Sequence, residues 1–120
     1  MRVIVSAIFK NLNSQILLAR RIADGKYTTP GGKVEEEETL RNALFRETDE
    51  ECGMKIDRFS LMCYREIKNK LIVFYEIHTW RGEPLDLEPH KHANWHWVYP
   101  CEVRQYLTEG LAVLQKEGLI

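Results

Sequence analysis

Cysteine is scarce and unpatterned in this sequence: Cys52, Cys63 and Cys101 are an odd number at wide spacing, and no CxxC occurs. That usage fits reduced thiols rather than a disulfide framework. Nor do these cysteines stand at the short paired spacings from His78, His90, His92 or His96 that a structural zinc site uses. Long apolar runs are missing too. The longest, Leu71 to Tyr75, falls far short of the ~20 residues a membrane-spanning helix requires. Met1-Arg2-Val3 leads directly into alternating sequence with no signal-peptide profile. No sign of charge dominates: 17 Lys and Arg stand against 18 Asp and Glu, and no basic stripe or tail offers bulk capture of nucleic acid. The expectation is a soluble, cytoplasmic protein with no membrane and no stable nucleic-acid complex, which leaves room for a small charged ligand.

Internal repeats and low-complexity linkers are also absent, so 120 residues with 44% apolar side chains read as one domain over 1–120. A chain of this size buries roughly two thirds of its unfolded surface, enough for a core and a cleft. Val3 to Phe9 is apolar on both faces, the pattern of a strand buried on both sides. After the turn Asn11-Leu12-Asn13-Ser14, Gln15 to Arg21 returns as a second strand, and Tyr27 to Thr29 is a short extended piece ending at Pro30-Gly31-Gly32. A hairpin and a glycine loop are thus expected before the first helix. That helix should run from about Thr39 to Cys52, with Gly53 as its left-handed cap. Strands follow at Phe59 to Glu66, Leu71 to Trp80 and Trp95 to Tyr99. Pro100 opens a second helix carrying Val103, Tyr106 and Leu107, interrupted at Gly110 before Leu111 and Leu114 continue. The fold class is α/β or α+β, a mixed sheet with one central and one C-terminal helix.

The central helix has an unusual face. At 100° per residue, Leu40, Ala43 and Leu44 lie within about 60° of Glu47, and so do Glu50, Glu51 and Met54. The inward stripe is therefore apolar in its first turns and carries three carboxylates in its last two. Carboxylates turned toward a low-dielectric interior repel one another and lose hydration, and a divalent ion is the natural compensator. Their hard oxygens suit Mg²⁺ or Mn²⁺, ions that commonly bridge to substrate phosphates. A solvated acidic face is the ordinary alternative. Leu40, Ala43 and Leu44 argue against it, as does a glycine loop whose missing side chains let backbone approach an ion or a phosphate.

Gly32, five residues, Glu38, seven residues, then Arg46-Glu47-Thr48-Asp49-Glu50-Glu51-Cys52-Gly53-Met54 resembles the Nudix box of the MutT-like hydrolases, over residues 32–54. Seven fixed identities at fixed spacing arise by accident with a probability on the order of 10⁻⁵ or less. One position departs, Thr48, where the family prefers an aliphatic residue. Gln15 to Arg21, Pro30 to Glu35, Glu88-Pro89-His90-Lys91 and Trp95-His96-Trp97-Val98 extend the resemblance over nearly the whole chain.

The resemblance implies an α/β/α sandwich that hydrolyses a nucleoside diphosphate linked to a further group, with Mg²⁺ or Mn²⁺ as cofactor. By motif position Glu47, Glu50, Glu51 and the Gly31 carbonyl would hold metal. Arg46 and Glu38 would orient that cluster, and Gly32 and Gly53 would shape the box. Glu47 or Glu51 could take the proton of the attacking water; Glu88 is the candidate base outside the box, with Glu83 and His90 behind it. Arg20 or Arg21 is expected on phosphate, since the two point to opposite faces of a strand. Gly32 and Lys33 belong to the implied substrate loop. Tyr27, Phe74, Trp80, Trp95 and Trp97 are candidates to stack on a base, with Trp95 or Trp97 expected to fill the core beside the C-terminal helix.

The segments around Glu88 and Trp95 are similar to small triphosphate pyrophosphohydrolases, which points to a (d)NTP cleaved to (d)NMP and pyrophosphate by a monomer or homodimer. An ADP-ribose or nucleotide-sugar pyrophosphatase is the runner-up. A non-catalytic module that senses nucleotide or RNA is the alternative of another class, and a missing box carboxylate would have favoured it.

Overall fold

Burial on both faces dictates where the first strand sits. In the computed structural model, which describes residues 1–120, β1 (Arg2–Phe9) is wholly buried from Val5 to Phe9. It runs parallel to β6 (Lys70–Arg81) and antiparallel to β4 (Gly31–Lys33); β5 (Lys55–Ile67) completes a mixed sheet in the order β4-β1-β6-β5. A second, antiparallel sheet has the order β3-β2-β7, from β2 (Ile16–Arg21), β3 (Tyr27–Thr28) and β7 (His92–Val98).

Two cores follow from the alternation. Val5, Ala7 and Phe9 of β1 face α1 (Leu40–Cys52) together with Leu17 and Ala19, whereas Ile8, Ile16 and Leu18 face α2 (Glu109–Lys116). The helices therefore cover opposite sides of the sheet, as the expected sandwich requires. The expected hairpin of the first two strands does not form: past the turn only Lys10 and Ile16 bridge, and β2 leaves for the second sheet. Each strand is apolar on both faces, so the pair supplies side chains to both cores across two sheets.

Helix α1 begins and ends as its sequence dictates. The Thr39 hydroxyl accepts the Asn42 N–H at 3.1 Å, and Gly53 closes the helix at φ 70°, donating to the Asp49 carbonyl. The C-terminal helix differs from its expectation. Pro100–Tyr106 is a 3₁₀ segment, Leu107 is extended, and α2 starts afresh after Thr108. Gly110 is no interruption; it lies in the first turn of α2, where a Cβ would stand 3.0 Å from the Phe74 ring. Lys68 and Asn69 both take positive φ, 46° and 63°, in the tight turn between β5 and β6. Those strands run longer than their apolar alternation suggested.

Candidate active site

Side chains buried along α1 are Ala43, Leu44, Thr48, Glu51 and Cys52, so the inward stripe is turned toward Thr48. Two expectations change. Leu40 is exposed, and Glu50, two residues or about 200° from Thr48, stands at the rim with half its side chain in solvent. Of the three carboxylates only Glu51 is buried; Glu47 is partly covered.

Burial pushes the Glu51 carboxyl up to about 9, against the opposing pull of the Gly31 N–H, which donates to Glu51 Oε2 at 3.1 Å. Glu47 is also raised, mainly by desolvation. The glycine loop is shaped around these groups. A Cβ on Gly31, at φ 154°, would lie 2.1 Å from the Val5 carbonyl oxygen, and one on Gly32 would lie 2.5 Å from the Glu47 carboxyl carbon. Only glycine lets β4 approach β1 and the helix so closely.

Arg46 uses all five of its N–H donors. Nε and Nη2 fork onto Glu38 at 2.7 and 3.0 Å, Nη2 also reaches the Lys33 carbonyl at 3.1 Å, and Nη1 donates to Glu47 at 2.9 Å and Glu50 at 3.3 Å. The guanidinium holds the Glu38 carboxyl down to about 2. One side chain thus ties the loop before the helix to two of its carboxylates.

Glu88 arrives from outside the box. The His92 N–H donates to the Glu88 carbonyl at 3.0 Å, a helical turn that puts both side chains on one side. Ligand atoms of Glu51, Glu88 and His92 lie within 4.8 Å of one another, a group able to hold a divalent ion. Burial lowers the His92 pKa, which favours the neutral imidazole. The alternative bases, Glu83 and His90, are solvent-exposed. His92 was not among the expected site residues. Its signal, a Glu and a His four apart just before a strand, is legible only once the turn is known.

A cleft of about 480 Å³ runs from Gly31, Gly32 and His92 to an apolar end at Ile72, Phe74 and Leu111. Arg21, Lys26, Lys68 and Lys70 line it. Of the arginine pair, Arg21 reaches the cleft, where its Nε donates to Asp24 at 3.1 Å, and Arg20 is exposed. Lys68 and Lys70 flank the β5–β6 turn and Lys26 precedes β3, two segments that no sequence pattern links.

Other expected contacts fall elsewhere. Tyr27 packs into the core under α2, with its ring 6.1 Å from His96, and is not part of the cleft wall. Lys33 is exposed and contributes its carbonyl to Arg46. Trp95 and Trp97 fill the core on the α1 side, not beside the C-terminal helix, and Trp80 packs 5.9 Å from Trp97. Phe74 alone of the aromatic candidates lines the cleft.

Fold and site define a class: a sandwich of helices and sheets with a carboxylate and imidazole cluster at one end of a cation-lined cleft. Residues 1–116 match the family model described as the NUDIX domain. The chain is 36% identical to an 8-oxo-dGTP diphosphatase of Escherichia coli (strain K12), over 68% of this chain and 69% of that protein. It is 33% identical to a CTP pyrophosphohydrolase of the same organism, over 86% and 79%. A crystal structure of a MutT NUDIX hydrolase from Burkholderia pseudomallei superposes with TM-score 0.82 at 27% identity, covering 96% of this chain and 95% of that one. The chain belongs to the NUDIX family, and with its box intact it is a Nudix hydrolase of the MutT-like kind.

Proposed function

We propose that this protein hydrolyses a nucleoside triphosphate, (d)NTP and water yielding (d)NMP and pyrophosphate, with Mg²⁺ or Mn²⁺ as cofactor. The observation that carries the reading is the polarity of the cleft: at one end His92, grouped with Glu51 and Glu88, and Gly31, bonded to Glu51; at the other Phe74, Ile72 and Leu111; and four cationic side chains along its walls. A volume of about 480 Å³ suits a single nucleotide. The 8-oxo-dGTP diphosphatase and the CTP pyrophosphohydrolase are named for triphosphate substrates, which supports the same choice.

The residues present fit a divalent ion. Glu51 is buried with a single N–H donor on its carboxylate, and the buried Nδ1 of His92 has no hydrogen-bond partner at all. Glu47, Glu50, Glu51 and the Gly31 carbonyl are the proposed metal ligands, with Glu88 beside them. When bound, the ion neutralises phosphate charge and supplies a water of lowered pKa. Arg46 fixes Glu47 and Glu50 in place. Glu88, on the loop facing α1, is the proposed acceptor of the water's proton, with Glu47 and Glu51 as the alternatives. Arg21 forks onto phosphate, Gly32 leaves space for it, and the half-buried Ile72, packed on the buried Phe74 ring, gives the base an apolar floor. Exposed as they are, Arg20 and Lys33 would meet only the outer part of a substrate.

In this reading the attacked phosphorus is the one nearest the nucleoside, which makes pyrophosphate the leaving group. A single domain over 1–120, monomeric or homodimeric and acting in the cytoplasm, completes the proposal. No helix is long and apolar enough to cross a membrane. Incubation with a panel of canonical and oxidised triphosphates, ADP-ribose and nucleotide sugars in ¹⁸O-labelled water tests it. Equimolar dNMP and pyrophosphate are expected, with label in one of them and no turnover after chelation. Orthophosphate with a nucleoside diphosphate would overturn the register, cleavage of ADP-ribose alone would move the substrate to the runner-up, and binding without cleavage would leave a sensing module.

A further inference from the structure

We infer that the His92 imidazole is a nitrogen ligand of the divalent ion, joining Glu51 and Glu88, and that it tilts the site toward Mn²⁺ over Mg²⁺. The inference rests on the reading above for the presence of a metal and goes beyond it in the ligand and in the preference that ligand imposes.

Three independent observations carry it. Ligand atoms of the three side chains already stand within 4.8 Å of one another, so side-chain rotation alone can close them on one ion. Glu88 and His92 are four apart on one hydrogen-bonded turn, an arrangement that delivers two ligands from a rigid base. His92 Nδ1 is buried and pairs with nothing, so the imidazole is not held in place by a hydrogen bond at that nitrogen. The Trp95 ring, 5.1 Å away and itself buried, limits how far the imidazole can swing. Lys91 stands 3.7 Å from Glu88, too far for a hydrogen bond that would satisfy this carboxylate.

Imidazole nitrogen is a poor partner for Mg²⁺, which holds oxygen ligands and sheds water reluctantly, and a good one for the first-row transition ions. A carboxylate-only site would lack that bias.

The test uses Mn²⁺ alone, without nucleotide, on the full chain. Pulsed electron paramagnetic resonance of the Mn²⁺ complex is expected to show ¹⁴N coupling from one imidazole, lost in His92→Asn and kept in His90→Asn. Titration calorimetry is expected to show Mn²⁺ binding weakened about tenfold in His92→Asn, with Mg²⁺ binding changed less than threefold. Absence of nitrogen coupling in the unmodified protein, or coupling that persists in His92→Asn, overturns the inference without reference to how well any variant folds. Triphosphate cleavage is scored separately: a protein that cleaves but shows no coupling refutes this ligand only, and one that shows coupling but cleaves nothing refutes the substrate reading only.

Discussion

Glutamine in place of Glu51 should make the metal-free protein more stable, although it removes a group of the proposed metal site. In the fold this carboxyl is buried and its pKa lies at about 9, against 4.5 for an ordinary glutamate. Between those values the folded chain holds a proton that the unfolded chain has released. The unfolded state binds fewer protons there, so stability falls as pH rises from 4.5 toward 9. Each pH unit in that window costs up to about 1.4 kcal/mol, or about 4 kcal/mol between pH 5 and pH 8. A domain of this size has on the order of 5–15 kcal/mol in total, so the loss is a large fraction. Glutamine keeps an oxygen for the Gly31 N–H and cannot ionise, so it removes the slope. Urea unfolding in the presence of chelator, from pH 5 to pH 9, measures both proteins. Glu51→Gln is expected to exceed the parent by about 2–4 kcal/mol at pH 8 and to match it near pH 5. Added Mn²⁺ should stabilise the parent and leave the variant nearly unchanged. Parallel pH profiles for the two metal-free proteins would refute the assignment of a buried, proton-holding carboxyl.

Thr48→Val should stabilise the protein by about 1–2 kcal/mol, because the Thr48 hydroxyl is fully buried without a partner and valine has nearly its shape; a lower urea midpoint would refute this. Arg46→Lys should cost about 2 kcal/mol, since lysine has three donors where guanidinium uses five in a planar fork, and it should reduce turnover at least tenfold. The same variant changes the acid limb. Glu38 is held down to about 2, so its contribution is fully present above pH 4.5 and lost as pH falls toward 2; Arg46→Lys should flatten that loss in an acid titration followed by circular dichroism. Gly31→Ala should cost about 3 kcal/mol or more, whereas Gly25→Ala, where a Cβ meets nothing, should cost about 1 kcal/mol; equal unfolding midpoints would sink the steric argument.

Local rules were legible in the chain wherever one residue type alone can meet a backbone or packing demand. Thr39 and Gly53 marked both ends of α1, the two-sided apolar run marked β1, and the box spacing alone pointed to the family. The carboxylate face was only partly legible. Helical geometry placed Glu47, Glu50 and Glu51 on one arc, but which part of that arc is buried depends on how Thr48 and Cys52 seat against the core, and that seating put Glu50 in solvent.

Tertiary structure alone decided the rest, because each remaining feature joins segments far apart in the chain. Period-two alternation tells which side chains share a face but not which strand lies alongside, so the parting of β1 and β2 into separate sheets was invisible. Strand parity puts Arg20 and Arg21 on opposite sides without saying which side holds the cleft; pairing of β2 with β3 and β7 assigned that side to Arg21. Tyr27 and Lys33 carry chemistry that suits a nucleotide, yet packing under α2 and exposure at the end of β4 take both side chains out of the cleft wall. Glu51 and His92 lie 41 positions apart, and no spacing rule relates a helix to the first residue of a distant strand. The sequence by itself determined the chemistry of the carboxylates and the family, since those depend on residue identity at short range. The company the carboxylates keep is set by long-range packing, which residue identity constrains only through the whole fold at once.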